Sequence, residues 1–144
     1  MSKYNYTDKT IKPITEGKPF CTEIKIKIMI DDNPDLSYLS QDYHEIEDII
    51  EREKYLSQDK KRLENYDNSW NTIGIKAYTM IYLPIGNNSF KLQEIDSGGL
   101  WGIESDSEKE YIQEIKNEQI NELKGYLQML NVDIPDNVLI IDED

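Results

Sequence analysis

The spacing of apolar and polar residues predicts a small α+β domain. An isoleucine stands at every second position from Ile24 to Ile30, which is the period-two pattern of a half-buried strand. Residues 73–85 are rich in Ile, Thr and Tyr, and the polar segment 86–89 is typical of a hairpin connection into a further strand over 90–95. We therefore expect the two later strands to pair antiparallel.

Two segments have the spacing of amphipathic helices. From about Glu45 to Tyr66 apolar residues recur at helical intervals, which predicts a first long helix and leaves open a break near Ser57. Ser107 and Glu110 match a capping box, and apolar residues then share one face as far as residue 130. The predicted fold is a three- or four-stranded, mainly antiparallel sheet packed by two long helices, in the order β-α-β-β-α. Residues 138–141 form either a short edge strand or a frayed end.

A length of 144 residues indicates one domain. Residues 1–18 mix Lys, Thr, Pro and Gly without a period, so we expect a flexible basic arm followed by a single α+β domain over 19–144. The N-terminus has no apolar signal region, and no run of 18 apolar residues occurs. These features predict a cytoplasmic protein.

The charge distribution favours a cationic partner. The chain carries 29 acidic and 16 basic residues, a net charge of −13. The first 30 residues are rich in lysine, so the rest of the chain is still more acidic. Such a field repels nucleic acids and anionic membranes and attracts basic surfaces. We expect a basic nucleic-acid-binding protein as partner, with no direct binding of nucleic acid or membrane. The alternative is acidity that serves solubility only.

Two groups of acidic residues are candidate contacts for that partner. Glutamates recur every four residues from Glu110 to Glu122, with no lysine three or four places from any of them. Four helical residues advance about 6 Å, a spacing comparable to that of phosphates along a nucleic-acid strand, and each like-charge pair costs about 0.2–0.5 kcal/mol. Residues 31–53 form a second acidic group that contains one basic residue, Arg52. The predicted partner-binding residues are Glu110, Glu114, Glu118, Glu122, Glu47, Asp48, Glu51, Asp31, Asp32 and Asp35.

Catalytic and metal-binding patterns are weak. His44 is the single histidine and has no serine or cysteine motif near it. Asp31 begins a pattern similar to a calcium loop, but Leu36 takes the glycine position and Asp42 the position of the twelfth-place glutamate. Cys21 cannot form an internal disulfide. We expect no catalytic residue, metal or cofactor. A metal-dependent nuclease is kept as an alternative, with candidate residues Glu94, Asp96, Glu104 and Asp106.

The two tryptophans flank the predicted hairpin, and we expect both Trp70 and Trp101 to fill the core beneath the helices. Residues 100–103 are predicted to form a short apolar plug before the last helix. An alternative function follows from this segment. The chain would be an accessory interaction protein of a mobile element that makes contact through the plug and nearby tyrosines.

Residues 97–107, with the sequence SGGLWGIESDS, are followed by Tyr111, Glu114, Glu118, Gln119 and Leu123. These positions resemble the signature of a family of small proteins carried by phages, prophages and mobile elements. Residues 59–66 (DKKRLENY) and 73–77 (IGIKA) are similar to its middle portion, so the resemblance covers about residues 24–130. It provides no catalytic residue. It implies a setting in which small acidic proteins inhibit host defence, as anti-CRISPR and anti-restriction proteins do. Together with the two acidic groups, this setting leads us to expect a phage-type inhibitor in the host cytoplasm that acts by DNA mimicry.

Overall fold

A computed structural model of the chain describes residues 17–86 and 88–143. These residues form an α+β fold with one mixed five-stranded sheet and two α-helices, so the predicted fold class is confirmed. The predicted arm lies outside the described residues, apart from residues 17 and 18. The strands are β1 (Glu23–Ile30), β2 (Thr72–Pro84), β3 (Phe90–Asp96), β4 (Leu100–Glu104) and β5 (Leu139–Asp142), the helices are α1 (Ile49–Glu64) and α2 (Lys109–Met129), and a 3-10 turn spans Ser37–Leu39.

The long strand β2 organises the sheet, whose order is β3-β2-β1-β5. β1 pairs antiparallel with one edge of β2, while β3 and β4 pair antiparallel with successive halves of β2. β5 pairs parallel with β1. The predicted strand number and order were therefore wrong in detail. Residues 100–103 belong to strand β4 rather than to a plug, and α2 is the crossover that brings β5 back into the sheet parallel to β1.

The core lies between α2 and one face of β1 and β2. The alternating isoleucines of β1 and β2 point to this side, and Leu123 and Leu127 of α2 are fully buried against them. Truncating either leucine to alanine would cost about 2–5 kcal/mol, since neither site can collapse freely. This layer confirms the apolar face predicted for the last helix. We call the opposite side of the sheet the outer face.

The first helix does not pack on the sheet as predicted. It contains no buried residue, and Ile49 and Ile50 are 65% and 83% exposed. Neighbouring helical positions point about 100° apart, so Ile50 cannot share one narrow stripe with Leu56 and Leu63. The helix is also shorter than predicted. It begins after Asp48, whose carboxylate accepts from the backbone N–H of Ile50 at 2.9 Å, and it runs unbroken through Ser57.

The predicted capping box at the start of α2 does not form. Glu108 is the N-cap residue and makes no side-chain capping bond. The Ser107 hydroxyl instead donates to the backbone carbonyl of Glu104 at 2.6 Å. One turn earlier, the Ser105 hydroxyl accepts from the backbone N–H of Asn71 at 2.8 Å. Both hydroxyls therefore bond within the β4–α2 connection and to the start of β2 instead of capping the helix.

Candidate functional site

The acidic ladder, which we define as Glu110, Glu114, Glu118 and Glu122, lies on the solvent side of α2. All four side chains are exposed. The axial rise between successive members is about 6 Å and the turn about 40°, so the carboxylates form a stripe that winds gradually around the helix. The predicted exposure of the ladder is thus confirmed, and the structure brings these four residues together on one surface.

No basic side chain neutralises the ladder within the described part of the chain. Lys116 points to the other side of α2, where it is buried and its Nζ lies 2.6 Å from Asp142 Oδ2. Glu122 accepts a hydrogen bond from the hydroxyl of Tyr126 at 2.8 Å, and this bond raises the pKa of Tyr126. The ladder is therefore an uncompensated acidic stripe.

The helix that carries the ladder is held firmly. On its buried side Gln119 Oε1 accepts from the hydroxyl of Ser97 at 2.6 Å, and Ser97 in turn accepts from the backbone N–H of Ala77 at 3.0 Å. This chain of bonds joins α2 to β2 through buried polar groups, which are costly to leave unpaired. Together with the Lys116–Asp142 pair it fixes the helix against sliding over the sheet, so the glutamates project from a rigid support.

The second acidic group, over residues 31–53, differs from the ladder because several of its carboxylates bond to nearby backbone groups. Several of its members bond to the local backbone: Asp31 accepts from Asn33 N–H at 3.1 Å, and Asp35 accepts from Ser37 N–H at 3.0 Å. The bonds from Ser37 lower the pKa of Asp35. Asp48 caps α1. Among the predicted contact residues, these three aspartates thus bond to the local backbone, and Asp35 and Asp48 are exposed, as Asp32, Glu47 and Glu51 are.

The one basic residue of this group forms no ion pair with a carboxylate of the described residues. The guanidinium of Arg52 donates to the backbone carbonyl of Ile46, with its Nε at 2.9 Å from that oxygen. Glu51 accepts from the hydroxyl of Tyr55 at 3.3 Å. The second group therefore stays acidic. It lies before and within α1, which does not pack on the sheet, so the two acidic surfaces are on differently anchored elements.

The segment 97–107 anchors α1 to the sheet. Arg62 of α1 donates to both carboxylate oxygens of Asp106, at 2.6 and 2.7 Å, and lies 3.4 Å from Glu104. The guanidinium also covers the ring of Trp70 at 3.7 Å from its centroid. Arg62 lowers the pKa of Asp106, and Asp106 raises that of Arg62. The predicted nuclease pair Glu104 and Asp106 thus converges on an arginine.

The other two residues of the nuclease alternative lie elsewhere. Asp96, at the end of β3, is 3.6 Å from Lys76 and accepts from the backbone N–H of Gly98 at 2.7 Å. Glu94 of β3 pairs in register with Met80 of β2. Within residues 17–86 and 88–143, no three His, Cys, Asp or Glu side chains are grouped closely enough to hold a metal ion.

The remaining titratable candidates have local partners. His44 Nδ1 lies 2.6 Å from Asp42 Oδ1 on an exposed turn, and the bonds from His44 lower the pKa of Asp42. Cys21 is buried, and burial raises the pKa of its thiol to about 11. A thiol with this pKa stays protonated at neutral pH and is a poor nucleophile. None of the described helices is both long and apolar enough to cross a membrane.

The two tryptophans have different environments, which sequence reasoning missed. Trp70 is 3% exposed, as predicted, and its indole N–H donates to the backbone carbonyl of Arg62 at 2.8 Å. Trp101 was predicted to fill the core but is 46% exposed. It lies on the outer face, over Gly74. The glycine inside the apolar run of β2 was the available signal, since a glycine there often marks the close approach of another group.

Comparison with known proteins gave no match. No protein-family model, curated protein or solved structure matches this chain.

Proposed function

We propose that this chain is a binding protein that uses the acidic ladder to occupy a basic, nucleic-acid-binding surface of another protein and so inhibits it. The observation that carries the proposal is that α2 exposes four glutamates on one side and buries a lysine on the other. The helix directs its central cation inward to Asp142 and leaves its solvent side acidic. A surface selected for solubility alone has no need to keep its charges of one sign in a row.

The physical basis of the proposed inhibition is that the ladder and the nucleic acid compete for the same cationic groups of the target. A protein that grips a nucleic-acid backbone presents lysine and arginine side chains at intervals matched to phosphates. Carboxylates about 6 Å apart on a rigid helix can accept hydrogen bonds from those cations. Their fixed support reduces the ordering cost of association. The net charge of −13 also steers the chain toward a basic surface and raises the association rate.

The resemblance of residues 97–107 to proteins of phages and mobile elements supplies the proposed setting. We place the inhibitor in the host cytoplasm and its target among the host defence enzymes that handle nucleic acid, such as a CRISPR effector or a restriction enzyme. In this proposal the chain has no catalytic role and requires no metal or cofactor. Residues 97–107 contribute by anchoring α1, not by contacting the target.

The proposal is tested by salt-dependent capture with matched variants. The tagged chain is incubated with lysate of a bacterial host at low and at high salt, and captured proteins are identified by mass spectrometry. The purified captured protein is then titrated with the chain in the presence of labelled nucleic acid. We expect capture of a nucleic-acid-binding enzyme, release by salt, and displacement of the nucleic acid.

Two variants of equal charge distinguish binding through the ladder from binding due to the overall negative charge. The first replaces the ladder, Glu110, Glu114, Glu118 and Glu122, by glutamine. The control replaces Glu45, Glu53, Glu64 and Glu94, which are exposed and lie outside the predicted contact residues, by glutamine. Exposed ion pairs contribute about 0.2–1 kcal/mol each, so the ladder variant should lose about 1–4 kcal/mol of binding, and the control much less. Equal losses would assign the binding to net charge. Salt-resistant binding that neither variant weakens would favour contact through residues 100–103 instead.

A further inference from the structure

The helix α1 carries an apolar stripe that the described residues leave largely exposed. Ile49, Leu56 and Leu63 follow one another at intervals of seven residues, so their side chains lie within about 40° of one another around the helix. They are 65%, 38% and 37% exposed, and we call them the α1 stripe. Because α1 has no buried residue, the stripe is not part of the core and remains open to a partner.

One end of the α1 stripe is a groove and the other end projects. Leu56 and Leu63 line a groove of about 560 Å³, together with Leu39 of the 3-10 turn that precedes α1. Ile49 lies outside this groove, about 20 Å from Leu63 along the helix axis, and it is the most exposed of the three. The stripe therefore carries an apolar projection at its start and an apolar groove at its end.

Two opposite charges flank the stripe on the side that faces away from the rest of the described chain. Glu53 and Lys60 project about 40–60° to the same side of Leu56, and both are exposed. Neither forms an ion pair within residues 17–86 and 88–143. The opposite flank carries Asp59, which accepts from the hydroxyl of Tyr43 and so faces the body of the chain. Glu53 and Lys60 are thus available to a partner that covers the stripe.

A two-fold axis at Leu56, perpendicular to the helix, makes these features complementary. The helix of a second copy then runs antiparallel, so a residue that follows Leu56 by a given number of places meets one that precedes it by that number. Leu63 meets Ile49 of the second copy, since each is seven places from Leu56. Lys60 follows Leu56 by four places and Glu53 precedes it by three, so the two lie within about 1.5 Å in height. The rotation also keeps both on the same flank of the helix pair.

We infer that the α1 stripe binds a second copy of this chain as an antiparallel, two-fold helix pair. Ile49 of each copy enters the groove of the other beside Leu63, and two ion pairs between Glu53 and Lys60 close the outer flank. The helix axes lie about 8–10 Å apart, as in other helix pairs packed through apolar side chains. Isologous contacts require a patch that is its own complement, and a stripe with a projection, a groove and opposite charges has this property.

A parallel pair fits the same residues less well. It would set Ile49 against its own counterpart and leave both grooves empty, and it would align the two helix dipoles. The attachment of α1 to the sheet gives a further reason. Arg62, near the C-terminal end of α1, bonds to Asp106, so a parallel pair would bring two chains of net charge −13 together at one end. The antiparallel pair sets the two sheets at opposite ends, and the ladder on α2 takes no part in the contact.

Self-association is measured by sedimentation of the full chain from micromolar to near-millimolar concentration, near 0.15 M salt, where the Debye length is about 8 Å. We expect a monomer–dimer equilibrium within this range. Ile49→Ala should raise the dissociation constant about a hundredfold, with about tenfold lost at each of the two symmetric contacts. Ile50→Ala is the matched control, because Ile50 is 83% exposed and points about 100° away from Ile49. It should change the constant less than about twofold, and circular dichroism checks that both variants keep their helix content.

Single cysteines test the position of the two-fold axis. Leu56→Cys places the two thiols across the axis from each other, so mild oxidation should give a covalent dimer. Ile49→Cys leaves the two thiols about 20 Å apart in the antiparallel pair and should give none, whereas a parallel pair would cross-link it. The natural Cys21 is buried, and the natural chain oxidised in the same way gives its background.

Charge reversal tests the ion pairs. Glu53→Lys changes the net charge of the chain from −13 to −11, which by general repulsion alone would tighten the dimer, but the register predicts a dissociation constant about tenfold higher from two like-charge contacts. Adding Lys60→Glu should restore the original constant. Glu53 and Lys60 are about 10 Å apart within one helix, so this rescue must arise between copies.

Four outcomes would each overturn the inference. They are a chain that stays monomeric at near-millimolar concentration, a dimer that Ile49→Ala weakens no more than Ile50→Ala does, covalent dimers from Ile49→Cys in place of Leu56→Cys, and charge effects that add without rescue.

Discussion

Replacing Gly74 by alanine should have opposite effects with and without the indole of Trp101. The backbone of Gly74 is not in the left-handed region, so alanine meets no conformational barrier there. Its methyl group would stand 2.3 Å from the nearest ring atom, far inside van der Waals contact. The indole must therefore move away from Gly74, or the strand must shift.

The magnitude follows from two opposing terms. Forcing a methyl group into an occupied position costs about 1–3 kcal/mol, while removing a glycine from a strand interior gains about 0.5–1 kcal/mol. In the natural chain Gly74→Ala should thus destabilise by up to about 2.5 kcal/mol. When Trp101→Ala is already present the clash is gone, and Gly74→Ala should stabilise by about 0.5–1 kcal/mol. The change of sign is the specific expectation.

The assay is urea-induced unfolding followed by circular dichroism for the natural chain, both single variants and the double variant. Linear extrapolation gives four free energies of unfolding, and the double-mutant cycle gives the coupling between the two positions. Gly125→Ala is the control for glycine removal as such. An added Cβ there meets no atom within 4 Å, so the variant should stabilise α2 by about 1 kcal/mol.

Additivity would refute the reasoning. If Gly74→Ala changes stability equally in the two backgrounds, the indole does not lie on Gly74. The exposed ring would then have no fixed position on the outer face.

Two further predictions concern the groups that hold the helices. Ser97→Ala should destabilise the fold by about 2–4 kcal/mol in urea unfolding, because it leaves the buried Ala77 N–H and the Gln119 side chain unpaired; a loss below about 0.5 kcal/mol would show that these groups find other partners. Arg62 lowers the pKa of Asp106, so the unfolded chain binds this proton more tightly than the folded chain. The resulting stability is complete above the unfolded pKa of about 3.9 and is lost as the pH falls below it. Unfolding between pH 2 and 5 should consequently be less steeply pH-dependent in Arg62→Ala, and equal slopes would contradict the assignment.

The local sequence pattern was sufficient to predict those helices and strands whose apolar positions are the positions that the fold buries. The isoleucines of β1 alternate in sequence and in the sheet, and the hairpin between β2 and β3 forms where polar residues separate two β-rich runs. The ladder could be placed on the solvent side of α2 because the apolar residues of that helix occupy the other side. Ile115 and Leu123 are both buried, as that spacing requires.

Other features depended on contacts distant in sequence. A five-residue strand such as β4 has too few positions to show a period, and the parallel pairing of β5 with β1 is decided by the path of α2 over the sheet. Spacing suggested a capping box at Ser107, but the Ser107 hydroxyl donates instead to the carbonyl of Glu104 in the preceding turn.

The sequence by itself determined the α+β class, the single-signed charge and the acidic ladder, since these depend on composition and on periodicity within one element. Only the tertiary structure decided that α1 stands off the sheet, that Glu104 and Asp106 hold Arg62, and that Trp101 is exposed. The physical reason is that a side chain becomes buried, or forms an ion pair, only where two parts of the fold come into contact. Which surfaces meet is set by strand pairing and helix packing between residues far apart in the chain.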